Sequence, residues 1–259
     1  MIAMKAQYVG DIGDLGKVLL LKYLAECGFK IGVNWVLTPN DNHTDGKHRD
    51  YVKYKGKDCL CCCDQDTYEA ILPLATEEEK DKRAITHLET RIRQFAPDVV
   101  FFDEVFKSGI DRADLDAKAR NKLVPALCDL VFFDPDNGIG GENGTSPKHV
   151  YYSELNEYWK RRQSILVYHH LNREKQSEEE RSSHQSQIER VTGALRNELA
   201  GANVLWHRMR RGTARVYFLC VQDAHFPMLE GRSSIPSIQP LLHTKSEWRK
   251  LAKTCNHTH

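Results

Sequence analysis

Two stretches of this chain are near-copies of one another: Asp98 to Asp103 (DVVFFD) and Asp129 to Asp134 (DLVFFD). Each is an unbroken apolar run of strand length closed by an acid. A strand with one wet face alternates apolar and polar residues, whereas a strand covered on both faces reads as a continuous apolar run. Ile31 to Leu37 (IGVNWVL) and Ser164 to Tyr168 (SILVY) are of the same kind, and Cys59 to Cys63 reads as a further short strand. Helical stretches separate these runs. They cover Lys17 to Glu26, Glu77 to Phe95, Asp114 to Leu127, Ser153 to Arg161 and about Glu178 to Leu199. In the second, Ile85, Leu88, Ile92 and Phe95 keep helical spacing. Asn203 to Arg208 and Ala214 to Val221 flank Arg210, Arg211, Gly212 and Thr213 as the arms of a hairpin. Buried strands joined through helices demand a sheet covered on both sides. The pattern predicts an α/β fold: a doubly wound, mostly parallel, Rossmann-like sheet with a terminal antiparallel hairpin. One domain is expected over 1–223, with 224–259 as a C-terminal appendage.

Composition narrows the function classes. The chain's 37 Lys and Arg balance 36 Asp and Glu, so it is not a globally basic packaging protein, although a local basic patch remains compatible. Charged residues within the first twenty positions argue against a secretory signal, and no apolar run approaches the ~20 residues of a membrane helix. Of the eight cysteines, Cys59, Cys61, Cys62 and Cys63 are clustered. On a strand these thiols alternate between faces and do not converge on one tetrahedral metal. A reduced, cytoplasmic protein with no membrane partner is the expectation; oligomeric state is left open.

In such folds ligands sit at the carboxyl ends of the strands, so the residues that follow each apolar run are the informative ones. They include Asn40 and Asp41, Asp103, the turn Asp134, Pro135, Asp136, Asn137 and Gly138, then His169, His170 and Asn172. The turn at Asp134 would present two carboxylates and an amide, able to accept hydrogen bonds from an amino group or to hold a divalent cation. His169 and His170 are adjacent and point to different faces. Asp, Asn and Gly also build turns and caps, and that structural reading stands beside the functional one. The opening segment Gly10 to Lys17 (GDIGDLGK) resembles a phosphate loop but departs from the Walker spacing, with Val18 in place of Ser or Thr. Asp14 and Lys17 are its candidate ligand contacts. Trp206 to Arg215 carries five potential cations in ten residues. Arg208, Arg210 and Arg211 are accordingly candidate contacts to phosphate.

The spacing of Gly10, Asp14 and Lys17 ahead of the first strand resembles the Gly-Asn-x-Ala-Asp-x-x-Lys opening of the adenine-N6 methyltransferases of large-subunit ribosomal RNA. The three-Cys-motif partner proteins, another methyltransferase-like group, open with a helix carrying a similar lysine. Asp134, Pro135, Asp136 and Asn137 stand where the ribosomal family has Asp-Pro-Pro-Tyr. The resemblance spans about Tyr8 to Val221. It implies a class I methyltransferase fold and S-adenosylmethionine beside Lys17 and the first strand tip; in the methyltransferase reading Asp14, Asn40, Asp41 and Asp103 sit around that cofactor. It also implies a nucleic-acid amino group held by Asp134 and the carbonyl of Pro135. Two features depart from the family: the glycine-rich loop after the first strand is replaced by Thr38 to Gly46, and Asn137 replaces the stacking aromatic. Two further readings use the same residues. One is a metal-dependent nuclease or phosphoesterase using Mg or Mn at Asp103, Asp134, Asp136, His169 and His170; the other is a methyltransferase-derived binding module.

Overall fold

The computed structural model describes residues 8–40, 48–53, 64–77, 84–107, 110–141, 146–172, 183–209 and 214–229. In chain order the elements are α1 (Ile12–Glu26), β1 (Ile31–Asn34), α2 (Gln65–Thr76), α3 (Ile85–Arg93), β2 (Val100–Phe102), α4 (Arg112–Leu123), β3 (Leu130–Phe133), β4 (Gly138–Ile139), β5 (His149–Val150), α5 (Tyr152–Trp159), β6 (Ser164–His170), α6 (His184–Glu198), β7 (Asn203–Met209), β8 (Arg215–Val221) and α7 (Phe226–Leu229). Among the described residues six strands make one sheet in the order β2-β1-β3-β6-β8-β7, and β4 and β5 make a separate two-stranded one. β2, β1, β3 and β6 are mutually parallel, while β8 is antiparallel to both of its neighbours. The fold is therefore α/β, with a mostly parallel sheet.

The apolar runs have the burial that their composition demands. β1, β3 and β8 are buried along their whole length. Alternate residues feed two cores. Val33, Phe132, Leu166 and Leu219 pack with α1, α2 and α3 on one side, and Val131, Phe133, Val167 and Phe218 pack with α4, α5 and α6 on the other. Helices thus cover both faces.

Some element boundaries differ from the sequence expectation. α1 begins at Ile12 rather than Lys17, because Asp11 caps it: its carboxylate accepts from the backbone N–H of Gly13 at 2.6 Å and of Asp14 at 3.1 Å. The glycine-rich opening is the first turns of the helix itself. The single helix expected over 77–95 does not form. Glu77, extended with ψ 114°, ends α2, and Ala84, extended with ψ 146°, precedes α3. A helix cannot run through two extended residues. The stripe Ile85, Leu88 and Ile92 is nevertheless buried. The hairpin forms as expected, with Met209 opposite Arg215. The cysteine run at 59–63 lies outside the described residues, whereas Cys27, Cys128 and Cys220 are buried. Past β8 the chain packs back on the amino edge of the sheet, where His225 Nδ1 lies 2.9 Å from Ser164 Oγ and Leu229 is buried. No helix among the described residues is long and apolar enough to cross a membrane.

Candidate active site at the carboxyl edge of the sheet

Strand alternation fixes which side chains meet at this edge. Leu130 and Phe132 face the α1 side, so Asp134, next in that alternation, faces it too. Tyr168 on β6 and Tyr217 on β8 belong to the same face, which brings His170 and Arg215 there by the same parity. The first turns of α1 lie across this row.

Lys17 is the hub. Its Nζ lies 3.0 Å from Asp14 Oδ1 and 2.7 Å from Asp134 Oδ2, with all three side chains at least nine-tenths buried. Asp14 also accepts from the N–H of Gly10 at 2.8 Å, tying the hub to the chain just ahead of the helix. The N–H of Asp134 donates to the carbonyl of Asn34 at 3.0 Å, which ties the tip of β3 to β1. Burial disfavours the charge on Lys17, but Asp134 and Asp14 outweigh it and hold the ammonium well above the ordinary lysine range. Burial pushes the Asp14 carboxyl up to about 6 against the pull of Lys17, and it raises Asp134 in the same way. Two carboxylates thus share the Lys17 ammonium in a dry site, and burial raises their proton affinity.

Arg215 is buried at this edge, 4% exposed. Burial opposes its charge, but Asp11 above all, with Tyr168, Tyr217 and Asp14, keeps the guanidinium ionised. Gly13 makes room for it: a Cβ there would lie 1.7 Å from Arg215 Nη1. The Tyr168 hydroxyl is 3.5 Å from His170 Nδ1. His170 is half-buried, and burial, then Arg215, lowers its pKa, so the ring is neutral at pH 7.

The remaining expected site residues are dispersed. His169 faces the opposite core: its Nδ1 accepts from the N–H of Ile139 at 3.0 Å, and its ring meets Phe218 edge-on. Burial pushes its pKa down to about 4, so it stays a neutral acceptor. Gly138, at φ 94°, lets the turn pass against this ring, since a Cβ there would lie 2.5 Å from Nδ1. Asp136 and Asn137 are half-buried in that turn, where the Asn137 N–H donates to the carbonyl of Lys148 at 2.9 Å. Asp103 is at the tip of β2, 3.8 Å from Lys122 and away from the hub. Asn40 is exposed beyond β1. Asn172 is bound through its backbone to Gln187 of α6. Arg208 contacts His184 on the α6 side of the sheet. Asp41, Arg210 and Arg211 lie outside the described residues.

Beside β1, on the α4 side, a slot of about 30 Å³ is lined by Asn34, Val36, Phe102, Glu104, Arg112 and Phe133 among others. That is room for about one or two water molecules. Arg112 walls it with a fork onto Glu154 and a stack over Tyr151. Val36, two residues past the end of β1, is left-handed with φ 48°. Its N–H donates to Asn34 Oδ1 at 3.2 Å.

The hub was legible in part. Asp14, Lys17 and Asp134 are brought together, whereas Arg215 and Tyr217 stand in the sequence as a hairpin cation and a strand aromatic. The available signal was their spacing: two polar side chains two residues apart, on one face of an otherwise apolar strand. The chain matches no model of a known protein family, and no curated protein matches it significantly.

Proposed function

We propose that this chain is a methyltransferase-like enzyme acting on an amino group of a nucleic-acid base, with S-adenosylmethionine as methyl donor. The observation that carries the reading is the sheet order: among the described residues five strands run one way and β8 is inserted antiparallel between β6 and β7. That is the arrangement expected of the class I methyltransferase fold, and Asp134 closes β3, the parallel strand beside β1, as the ribosomal RNA family's motif follows its fourth strand. The left-handed residue after β1 supports it. A valine held at positive φ costs on the order of 1–3 kcal/mol and persists only where its surroundings over-determine it. Here the chain keeps a glycine-like turn without the glycine.

The residues beside β1 fit S-adenosylmethionine in kind. Glu104 would offer a carboxylate to ribose hydroxyls, and Phe102 and Phe133 would provide apolar walls for a ring. A slot of about 30 Å³ is far smaller than an adenosyl group, so binding requires it to widen. When bound, the group supplies an electrophilic methyl. The chain's own residues do the rest. Asp134 accepts a hydrogen bond from the target amine and orients its lone pair. A carboxylate has several acceptor positions, so contact with Lys17 at one oxygen does not exhaust it. Lys17 holds Asp134 ionised, and the proton shed by the alkylated amine passes to a carboxyl whose pKa burial has raised. Exclusion of water strengthens each of these contacts, and positioning supplies most of the rate.

The metal-dependent alternative finds less support. Among the described residues no three His, Cys, Asp or Glu side chains are grouped to hold an ion. Asp134 faces Lys17, and His169 is engaged with Ile139.

Calorimetry with S-adenosylhomocysteine tests the reading. Micromolar-class binding to the parent is expected, and Asp134→Asn should keep that binding while losing methyl transfer to a single-stranded oligonucleotide. Absence of both heat and thermal stabilisation at millimolar ligand would remove the proposal. Oligonucleotide binding without transfer would favour a binding module.

A further inference from the structure

Tyr217 is fully buried, and its hydroxyl finds no hydrogen-bond partner among the described residues. The ring is well packed, with centroids 6.4 Å from Phe132 and 5.8 Å from Tyr168. Packing therefore accounts for an aromatic at this position but not for its oxygen. A phenylalanine would fill the same space without burying an unsatisfied donor, which native proteins almost always avoid. Burial holds the phenol protonated, so this oxygen is a donor waiting for an acceptor. It also belongs to the hub: Lys17, Asp134, Arg215 and Tyr168 are the charged and polar groups that act on it.

The neighbouring helix and Met209 close over this hydroxyl. A Cβ on Gly16 would lie 2.3 Å from Met209 Sδ and 3.9 Å from Tyr217 Oη. The absent side chain leaves a gap that the half-exposed Met209 fills. An unbranched thioether repacks readily.

We propose that Tyr217 contacts the substrate, its hydroxyl donating to the ring nitrogen beside the target amine while Met209 moves aside. The inference rests on the function proposed above and narrows its substrate class. An amine that donates to Asp134, next to a ring nitrogen that accepts from Tyr217, matches adenine or cytosine; on the pairing edge of guanine the nitrogen beside the amine carries a hydrogen and cannot accept. Enzymes that act on a base read this kind of edge after extruding it from the stack.

The test pairs Tyr217→Phe with atomic changes in the base. Single-stranded oligonucleotides carry adenine, 1-deazaadenine or 7-deazaadenine, and in a second series cytosine or 3-deazacytosine. The parent protein should lose up to about tenfold in affinity when the contacted nitrogen becomes CH. Tyr217→Phe should bind the unmodified oligonucleotide more weakly by the same factor and no longer distinguish the deaza forms. Without ligand, the variant should melt at the parent temperature or up to about 2–4 °C higher, since it loses an unpaired buried hydroxyl. A fall of several degrees would make the hydroxyl structural and overturn the inference, as would unchanged discrimination in the variant. A parent that binds every oligonucleotide equally overturns this inference alone. A parent that binds none overturns the functional reading along with it.

Discussion

Lys17 shows how one side chain can hold both a fold and a site. Its two carboxylate partners come from its own helix and from the tip of β3, and none of the three has water to fall back on. Removing one member of a buried ion group costs about 3–5 kcal/mol, because the partners are left charged and unpaired. Lys17→Ala should therefore lower the unfolding free energy obtained from urea titration by an amount in that range at pH 7. A loss below about 1 kcal/mol would mean that water replaces the ammonium and the site is open. Each member could be singled out from sequence, as an opening lysine or an acid closing an apolar run, but their meeting could not. Arg215 and Tyr217 stayed hidden because their chemistry depends on facing α1, which no local pattern states.

At the scale of elements, α1 and β8 constrain one another. Alanine is ordinarily better than glycine in a helix by up to about 1 kcal/mol. At Gly13 the sign should reverse, because a Cβ 1.7 Å from Arg215 Nη1 forces a buried guanidinium to move. Overpacking of this kind costs about 1–3 kcal/mol. Gly13→Ala should thus destabilise in denaturant titrations, whereas Gly193→Ala on α6, where a Cβ meets nothing within 4 Å, should not. The β7–β8 hairpin makes a separate prediction. If Arg210 and Arg211 contact phosphates, removing both should flatten the log-affinity against log-salt slope for an oligonucleotide by about one to two units. An unchanged slope would assign them to the solvent face. The hairpin was legible from its turn residues and flanking apolar runs. α2 was not, because Gln65–Thr76 carries Pro73 inside the helix and a modest apolar stripe.

For the molecule as a whole, buried titratable groups set opposing pH dependences. Burial depresses His169 and His207 to about 4, from an ordinary value of 6.5. Between those values the unfolded chain binds more protons, so stability is lost as the pH falls through this window. Asp14 acts the other way. With its pKa raised to about 6 from 3.8, the folded state binds the extra proton, and its contribution grows as the pH drops from 6 towards 4. Burial also raises Asp134 and lowers His149 and His170, and the four imidazoles together should outweigh the two carboxyls. The parent should lose stability on acidification from 6.5 to 4, and Asp14→Asn should steepen that loss. Denaturation midpoints across this range provide the check, and an identical slope in the variant would mean that Asp14 titrates as an ordinary carboxyl.

Continuous apolar runs of strand length, closed by acids and separated by helical spacing, determined the α/β class, the parallel strands and the final hairpin. Those properties follow from periodicity and burial, which are local. The sequence also determined that polar chemistry would gather after the apolar runs, because polar side chains are excluded from the runs themselves. Tertiary structure alone decided which of those residues meet. Strand order brought β8 beside β6, alternation turned Asp134, Arg215 and Tyr217 towards α1, and the same alternation sent His169 into the opposite core. A one-residue change of parity reverses a side chain's face, and only the packed sheet fixes that parity.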